Sequence, residues 1–314
     1  MGDSHSTADD TIDVSSIGET MAVFVSDHPR HTYRLVAGGA ESNTMVGLAS
    51  LGVRTQWVSK MGDDWLGGTI ADMVAERGVD IDVIADRSRP TGIMTVTIAD
   101  GVRNVTYHRA GSAASTLGVD DIERLRPSRW IHLTGVTCAI SASGARLVDV
   151  LTNDRRSARV SFDVNLRPAL WPSLAEAALT LVPIAEAADL VFVGDDEAEA
   201  LFGTTDAHEL AGIILTRQDQ ELVLKRGAGP ASVVRWDSIT SQDAAPTAVV
   251  EATGAGDAFA AGFLAGTVWG WEDAERLRLG HILAARVVAV LDHVVPPLTA
   301  TELTDLLLGA RPSR

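Results

Sequence analysis

The chain has 314 residues, of which 46% are hydrophobic and 22% are charged, a composition typical of a folded globular protein. Its formal net charge of −16 argues against nucleic acid as a partner, because phosphate binding needs a basic surface. The sequence contains no apolar run long enough to cross a membrane, and its one cysteine excludes an intrachain disulfide. We therefore expect a cytoplasmic protein in which Cys138 is a small buried hydrophobic residue rather than a nucleophile.

Residues 1–11 are polar and acidic and lack the basic and apolar segments of a signal peptide, so we expect a disordered lead. After them, short β-type runs alternate with longer helical stretches rich in Ala and Leu. This alternation predicts an α/β fold, a doubly wound and mostly parallel sheet with helices on both faces, whose ligands gather at the carboxyl ends of the strands. The predicted strands are 13–18, 55–62, 130–135, 159–165, 190–194 and 221–227, and the predicted helices include 42–52, 69–78, 142–155 and 174–187.

Two β-rich stretches, 21–36 and 91–110, interrupt this alternation. The pair Asp100-Gly101 in the second stretch favours a two-residue hairpin turn. We expect the two stretches to form a small antiparallel sheet that serves as a lid over a ligand site; a β-excursion without that role is the alternative. A small sheet exposes edges and a face that need covering, so we also expect a homodimer through the lid. The body then comprises residues 12–20, 37–90 and 111–310.

The stretch EATGAGDAFAAGF, residues 251–263, places small residues and then Asp257 at the start of an apolar helix. It lacks the spacing of a P-loop, and Phe259 stands where a Rossmann motif needs its third glycine. Free N–H groups at a helix start attract anions, and small side chains let a phosphoryl group approach the backbone. The carboxylate is then placed to orient and deprotonate a hydroxyl, as in kinases, although an ordinary acidic N-cap is the alternative.

TGAGDAF, followed by a Gly- and Ala-rich helix, resembles the C-terminal signature of the ribokinase-like (PfkB) family of carbohydrate kinases. The segments GGAESNTMVGLASLG (38–52) and SKMGDDWLGG (59–68) are similar to the N-terminal signature of the same family. The resemblance extends from about residue 12 to the last helix. It implies the ribokinase-like fold, in which the lid often forms dimers, and an ATP-dependent kinase.

The same resemblance assigns the catalytic residues. It makes Asp257 the catalytic base, at the end of a turn that begins at Gly254. The backbone N–H groups of Ala255, Gly256 and Asp257 would bind the γ-phosphoryl group of ATP.

Two positions near this turn depart from the family pattern. Glu251 stands where the family usually has Asp, and Gly194 replaces the amide of an N-x-x-E motif that helps to place Mg²⁺. Glu197 of that motif remains, so the resemblance gives it an indirect role in Mg²⁺ binding, with Asp195 or Asp196 as substitutes for the missing amide. A monovalent cation beside the 251–253 loop, as in some family members, is a further expectation.

Two more segments, FDVNLRPALW (162–171) and YHRAGSAAS (107–115), resemble those of 2-keto-3-deoxygluconate kinases, which act on a sugar acid. Guanidinium groups bind carboxylates in bidentate geometry, so Arg109 and Arg167 are expected to hold the acid group. Tyr107 would lie on the same strand face as Arg109. For either arginine alone, a solvated surface charge is the alternative.

The resemblance further assigns Gly38, Gly39 and Asn43 to the sugar hydroxyls. Met94 stands where the family often has a tyrosine, which counts against a sugar-acid substrate.

On the nucleotide side, KRGAG (225–229) resembles the family loop beside the phosphates and adenosine. Lys225, Gly227 and Gly229 are predicted to contact ATP, although Lys225 extending from the strand end into solvent is an equal alternative. His281 and its helix are expected to pack on the adenine. The eight histidines show no metal-ligand spacing, so we assign no structural metal.

The predicted function is therefore ATP-dependent phosphorylation of a sugar acid, converting 2-keto-3-deoxygluconate to its 6-phosphate. Arginines also suit phosphate, so a kinase of a neutral sugar, a nucleoside or a sugar phosphate is the second interpretation. A catalytically silent sugar-binding regulator is the third, suggested by Gly194 and Glu251. The intact TGAGD sequence argues against that third interpretation.

Overall fold

The structure, a computed structural model, describes residues 11–26, 32–99, 102–154, 158–290 and 294–311. Nearly all of the predicted lead and the predicted Asp100-Gly101 turn lie outside these ranges. No helix within them is both long enough and apolar enough to span a bilayer.

Strands and helices alternate along the described chain. The strands are β1 (Ile12–Ile17), β2 (Met21–Ser26), β3 (Arg34–Gly38), β4 (Thr55–Gly62), β5 (Asp80–Asp86), β6 (Ile93–Ala99), β7 (Val102–His108), β8 (Ser128–Thr134), β9 (Arg159–Asp163), β10 (Leu190–Gly194), β11 (Glu221–Lys225), β12 (Ala231–Val234) and β13 (Ile239–Gln242). The helices are α1 (Ala40–Ser50), α2 (Trp65–Ala75), α3 (Gly135–Ile140), α4 (Ala142–Asn153), α5 (Leu174–Ala187), α6 (Asp195–Phe202), α7 (Ala207–Ile214), α8 (Ala255–Val268), α9 (Asp273–Val288) and α10 (Ala300–Ala310).

Nine of the strands form one sheet in the order β13-β12-β11-β10-β9-β8-β1-β4-β5. The seven strands from β11 to β5 run parallel, and β12 and β13 add an antiparallel edge. Parallel strands need both faces covered by helices. One buried cluster includes Met45 of α1 and Phe263 of α8, and a second, on the opposite face, includes Leu147 of α4 and Leu181 of α5. The doubly wound α/β prediction is confirmed, and Cys138 is buried in the second cluster.

The other four strands form the small sheet, in the order β3-β2-β6-β7. Its two hairpins, β2–β3 and β6–β7, are antiparallel as expected, whereas the β2–β6 pairing that joins them is parallel. The reason is that β2 and β6 come from two separate excursions of the chain and run in the same direction. One face packs on the body through Phe24, Leu35, Ala37 and Ile93, and the other carries Met21, Val23, Val25, Met94 and Val96.

Several element boundaries differ from prediction for local reasons. Helix α2 begins at Trp65 rather than 69, because the Asp64 side chain caps it by accepting from the Gly67 N–H at 2.8 Å. Strand β9 ends at Asp163 rather than 165, because Asn165 has a φ of 40° that no strand accommodates. The bounds of β4, β10 and α5 are those predicted.

Candidate active site

A pocket lies between the small sheet and the carboxyl ends of the body strands. It contains all seven residues predicted to contact the sugar: Gly38, Gly39, Asn43, Tyr107, Arg109, Arg167 and Asp257. Its remaining walls are Glu19, Met21, Ala40, Met94, Val136, Thr253 and Gly254. Segments that are up to 238 residues apart in the chain, from Glu19 to Asp257, therefore converge where a parallel α/β sheet places its ligands.

Asp257 lies in the first turn of α8 and is 7% exposed. The side-chain amide of Asn43 donates to its Oδ2 at 2.9 Å, and that of Asn165 donates to its Oδ1 at 3.1 Å. Burial raises the pKa of Asp257 to about 6, although the Asn43 hydrogen bond and the Arg167 charge lower it. The N-cap alternative is wrong, because Gly254 is the cap and the carboxylate bonds to two other chain segments. A carboxylate with this pKa is ionised at neutral pH and can accept a proton.

The turn before Asp257 has the backbone geometry of an anion site. Gly254 has a φ of 82°, a conformation that side chains rarely allow. The Ala255 N–H donates back to the Ala252 carbonyl at 3.2 Å, which differs from its predicted role. The N–H groups of Gly256 and Asp257 belong to the first helical turn, where the helix supplies no acceptor.

Lys225 approaches this turn from the sheet. Its Nζ donates to both oxygens of Asp163 and lies 3.5 Å from the point that a Cβ on Gly256 would occupy. Its side chain is 16% exposed, so the alternative of a lysine extended into solvent is wrong. Burial lowers the pKa of Lys225, but the carboxylates of Asp163 and Glu197 outweigh it, and the net shift is upward. A permanent cation therefore lies beside the α8 turn.

Arg109 enters the pocket already paired. Its guanidinium contacts the carboxylate of Glu19, which also accepts a hydrogen bond from Ser112 Oγ. Arg109 is 9% exposed, so the surface-charge alternative is wrong for this residue. Its Nε is buried and finds no acceptor in the described part of the chain. The positive charge is thus balanced, while one N–H remains to be satisfied.

Arg167 differs from Arg109 in both exposure and partner. It is exposed at the pocket wall, and its Nη1 donates to its neighbour's carbonyl, on Leu166, at 3.3 Å. Within the described residues no carboxylate forms an ion pair with it. Arg167 is therefore a cation of the pocket without a salt-bridge partner in the described residues, and its charge acts on the Asp257 carboxylate in the same pocket.

Glu197 is buried, and both its oxygens accept backbone N–H groups, from Leu166 at 2.8 Å and from Gly194 at 2.7 Å. It ties the ends of β9 and β10 together. Across the described chain, no group of three or more His, Cys, Asp or Glu side chains could hold a metal. Glu251 holds its own loop by accepting from the N–H and Oγ1 of Thr253.

The predicted nucleotide residues lie along the β11 and α9 side. Gly227 has a φ of 53°, and the Gly229 N–H closes a turn on the Arg226 carbonyl at 2.7 Å. His281 lies edge-on to Phe259 and bonds the Gln242 carbonyl at 3.0 Å through Nε2. A mainly apolar groove of about 530 Å³ runs beside it, lined by Gln242, Asp243, Ala244, Ala245, Arg278, His281, Ile282, Ala285, Arg286 and Ala289. Such a groove suits a planar aromatic base.

Four buried polar residues of the site were not assigned from the sequence: Glu19, Glu41, Asp163 and Asn165. Asp163 and Asn165 belong to the D-x-N-x-R segment, so a signal was present, but their partners lie 62 and 92 residues away. Glu19 and Glu41 follow the first strand and the Gly-Gly turn, and nothing local shows that they are buried.

Comparison with known proteins identifies the family of this chain. Residues 10–294 match the pfkB family carbohydrate kinase. The chain is 33% identical over 287 residues to the 2-dehydro-3-deoxygluconokinase of Bacillus subtilis (strain 168), covering 87% of this chain and 89% of that protein. It is 29% identical over 232 residues to the fructokinase of Salmonella typhimurium, covering 73% and 76%. The crystal structure of a PfkB protein from Polaromonas sp. JS666 matches with a TM-score of 0.82 at 32% identity, covering 90% of this chain and 97% of that one. The chain belongs to the pfkB family of carbohydrate kinases.

Proposed function

We propose that this protein is an ATP-dependent 2-dehydro-3-deoxygluconokinase, which phosphorylates the sugar acid also called 2-keto-3-deoxygluconate at its 6-hydroxyl. The observation that carries the proposal is one pocket that holds the buried carboxylate of Asp257 together with two arginines, Arg109 and Arg167. The similarity to the Bacillus subtilis enzyme supports the same substrate class.

The residues present fit a nucleoside triphosphate. Gly254 and Gly256 leave the α8 turn open to close approach, and Lys225 adds a buried cation beside it. Bound ATP supplies the phosphoryl group. The chain's part is to bind that group on the N–H groups of Gly256 and Asp257, and to orient the sugar hydroxyl against the Asp257 carboxylate. Asp257 then takes the hydroxyl proton on the oxygen nearest to the acceptor.

The acid group of the substrate is placed by the opposite wall. Arg167 supplies the uncompensated positive charge, and Arg109 supplies its buried Nε–H. Glu19 pairs with Arg109, so that Arg167 is the cation left to pair with the carboxylate of the substrate. Tyr107, Gly38, Gly39 and Asn43 complete the walls around the hydroxyls.

Other parts of the proposal rest on the sequence. Mg²⁺ beside Glu197 and a monovalent cation beside the 251–253 loop stay predictions, and no step is derived through either ion. The adenine position against His281, a homodimer through the lid, the division into lid and body at the predicted bounds, and a cytoplasmic location also stay predictions.

A neutral-sugar kinase is the second candidate. Met94, which pairs with Tyr107 on the lid, occupies a position where the family often has a tyrosine. The chain is also similar to a fructokinase. A silent regulator is disfavoured, because the TGAGD turn is intact and its Asp257 has the pKa of about 6 that suits a general base.

The test is a coupled ADP-release assay of the full chain over 2-keto-3-deoxygluconate, fructose and ribose. We expect kcat/KM for the sugar acid to exceed that for either neutral sugar by about a hundredfold, since only the acid can form charge-assisted hydrogen bonds with Arg167. Equal kcat/KM values would reject the sugar-acid substrate and retain the kinase.

A further inference from the structure

We propose that Asn165 is a positioning residue that holds the base Asp257 from the β9 side of the site, an inference that rests on the proposed function. Asn165 lies two residues beyond β9, and its Nδ2 donates to Asp257 Oδ1 at 3.1 Å. On the other side, Asn43 Nδ2 donates to Oδ2 at 2.9 Å. The carboxylate is held between two amides from separate segments. Its plane is fixed, and each oxygen keeps a lone pair for the sugar hydroxyl.

The backbone at Asn165 is strained in a way that serves this contact. Its φ of 40° is the one positive value found at a non-glycine residue in the described ranges. Asparagine tolerates this region better than other side chains. Both neighbours are fixed: the Val164 N–H donates to the Phe192 carbonyl at 2.9 Å, and the Leu166 N–H donates to Glu197 at 2.8 Å. Strained residues persist where such neighbours determine them, and they cluster at active sites.

The orientation of the Asn165 amide follows from its surroundings. The residue is 5% exposed, and its Oδ1 is buried without a donor in the described part of the chain. Rotating the amide by 180° would place this oxygen against the Asp257 carboxylate, so the N–H must face the base. An unpaired buried carbonyl oxygen is unfavourable. Its presence here indicates that the N–H contact with Asp257 decides the geometry.

The hydrogen bond also has an electrostatic consequence. An N–H donor stabilises the ionised carboxylate, and Asn165 does so without adding a charge. Removing it should raise the pKa of Asp257 and reduce the ionised fraction. The charged groups that act on Asp257 from the surrounding elements are Glu41 on α1, Asp163 on β9, Arg167 after β9 and Lys225 on β11.

The decisive variant is Asn165→Gly, which keeps the left-handed backbone without strain and removes only the amide. We expect kcat to fall about tenfold or more while KM changes by less than about threefold, because the base is misplaced and sugar binding is not. The acid limb of kcat/KM should move about half a pH unit or more to higher pH. Asn165→Ala is the matched control: it should match Asn165→Gly in kcat and have a lower Tm, since alanine resists positive φ.

A second measurement needs no substrate. In protein labelled with carbon-13 at aspartate carboxyl groups, the Asp257 signal is identified by its loss in Asp257→Asn. A higher titration midpoint of this signal in Asn165→Gly supports the inference, and an unchanged midpoint with kcat within about twofold of wild type overturns it. A wild-type enzyme that phosphorylates no sugar would refute the proposed function, and the carbon-13 titration would still decide the role of Asn165.

Discussion

Lys225 on β11 donates to both carboxylate oxygens of Asp163 on β9, at 2.9 and 2.7 Å. Asp163 is 1% exposed, so the carboxylate is anchored below the pocket floor. It holds the ammonium group within 3.5 Å of the point where a Cβ on Gly256 would lie. A cation is thereby fixed in advance beside the turn that we propose to receive the transferring phosphoryl group, which is where preorganised charge is most effective.

Lys225→Met should lower kcat by about a hundredfold, the scale of losing one electrostatic contact to a transition state. Steady-state kinetics with 2-keto-3-deoxygluconate measures this change in kcat. Lys60→Met is the matched control, because Lys60 is the only other lysine and pairs with Asp121 instead. Lys225→Met alone leaves the Asp163 carboxylate buried without its partner, which should lower the Tm. The double variant Lys225→Met/Asp163→Asn removes that charge, so its Tm should be higher than that of Lys225→Met while its kcat stays low. A kcat within about threefold of wild type in Lys225→Met would contradict the role.

The activity should depend on pH through Asp257. Burial raises its pKa to about 6, and only the ionised form can take the proton, so kcat/KM should fall about tenfold per pH unit below that value. Asp257→Asn should lower kcat by about a hundredfold or more with little change in Tm. If Asp257→Asn kept most of its activity and its kcat/KM still fell below the same pH, Asp257 would not be the catalytic base.

Arg167→Ala should raise KM for the sugar acid by roughly a hundredfold and leave KM for fructose nearly unchanged. Arg109 cannot replace it, because the charge of Arg109 is balanced by Glu19. The surface arginine Arg87, whose side chain is 91% exposed beside Asp63, gives the control variant Arg87→Ala. Equal losses on both sugars would show that Arg167 does not recognise the acid group.

Glu41 should make stability depend on pH. It is fully buried, accepts hydrogen bonds from Thr134 and Thr137, and burial raises its pKa from 4.5 to about 7. Between these values the folded state binds more protons than the unfolded state, so stability falls as pH rises. From pH 5 to pH 8 the loss should be on the order of 3 kcal/mol. Urea unfolding at several pH values measures the free energy of unfolding of the wild type and of Glu41→Gln. The free energy of the variant should rise relative to that of the wild type as the pH increases. Parallel plots of free energy against pH would contradict the prediction.

The small sheet should mediate dimerisation. Its two edge strands, β3 and β7, have unpaired edges that a second copy of the chain can cover. Val105 packs against the apolar cluster that Met21, Val23, Val25, Met94 and Val96 form on one face of the sheet. Light scattering should give twice the chain mass of 33.1 kDa at micromolar concentration. Val105→Asp should give monomers, whereas Leu179→Asp, at an exposed site on α5, should not. A wild-type mass of one chain would reject the dimer.

The sequence alone determined the order of the elements and several of their bounds. Strands β4 and β10 and helix α5 have the predicted limits because their apolar spacing and their flanking Gly or Ser are local signals. The seven residues assigned to the sugar line one pocket, because the small sheet that carries Gly38 and Tyr107 lies at the edge where the parallel strands have their carboxyl ends. The family follows from two motifs, and these are also local.

The pairing of the charged and polar side chains could not be predicted from the sequence and depends on the three-dimensional fold. Glu19 balances Arg109, Asp163 holds Lys225, and two asparagines hold Asp257, all across separations that no spacing rule reaches. The parallel β2–β6 pairing was missed for the same reason. Strand and helix signals depend on neighbours a few residues away. The partner of a buried charge depends on which distant segments meet, since burial makes an unpaired charge too unfavourable to leave alone.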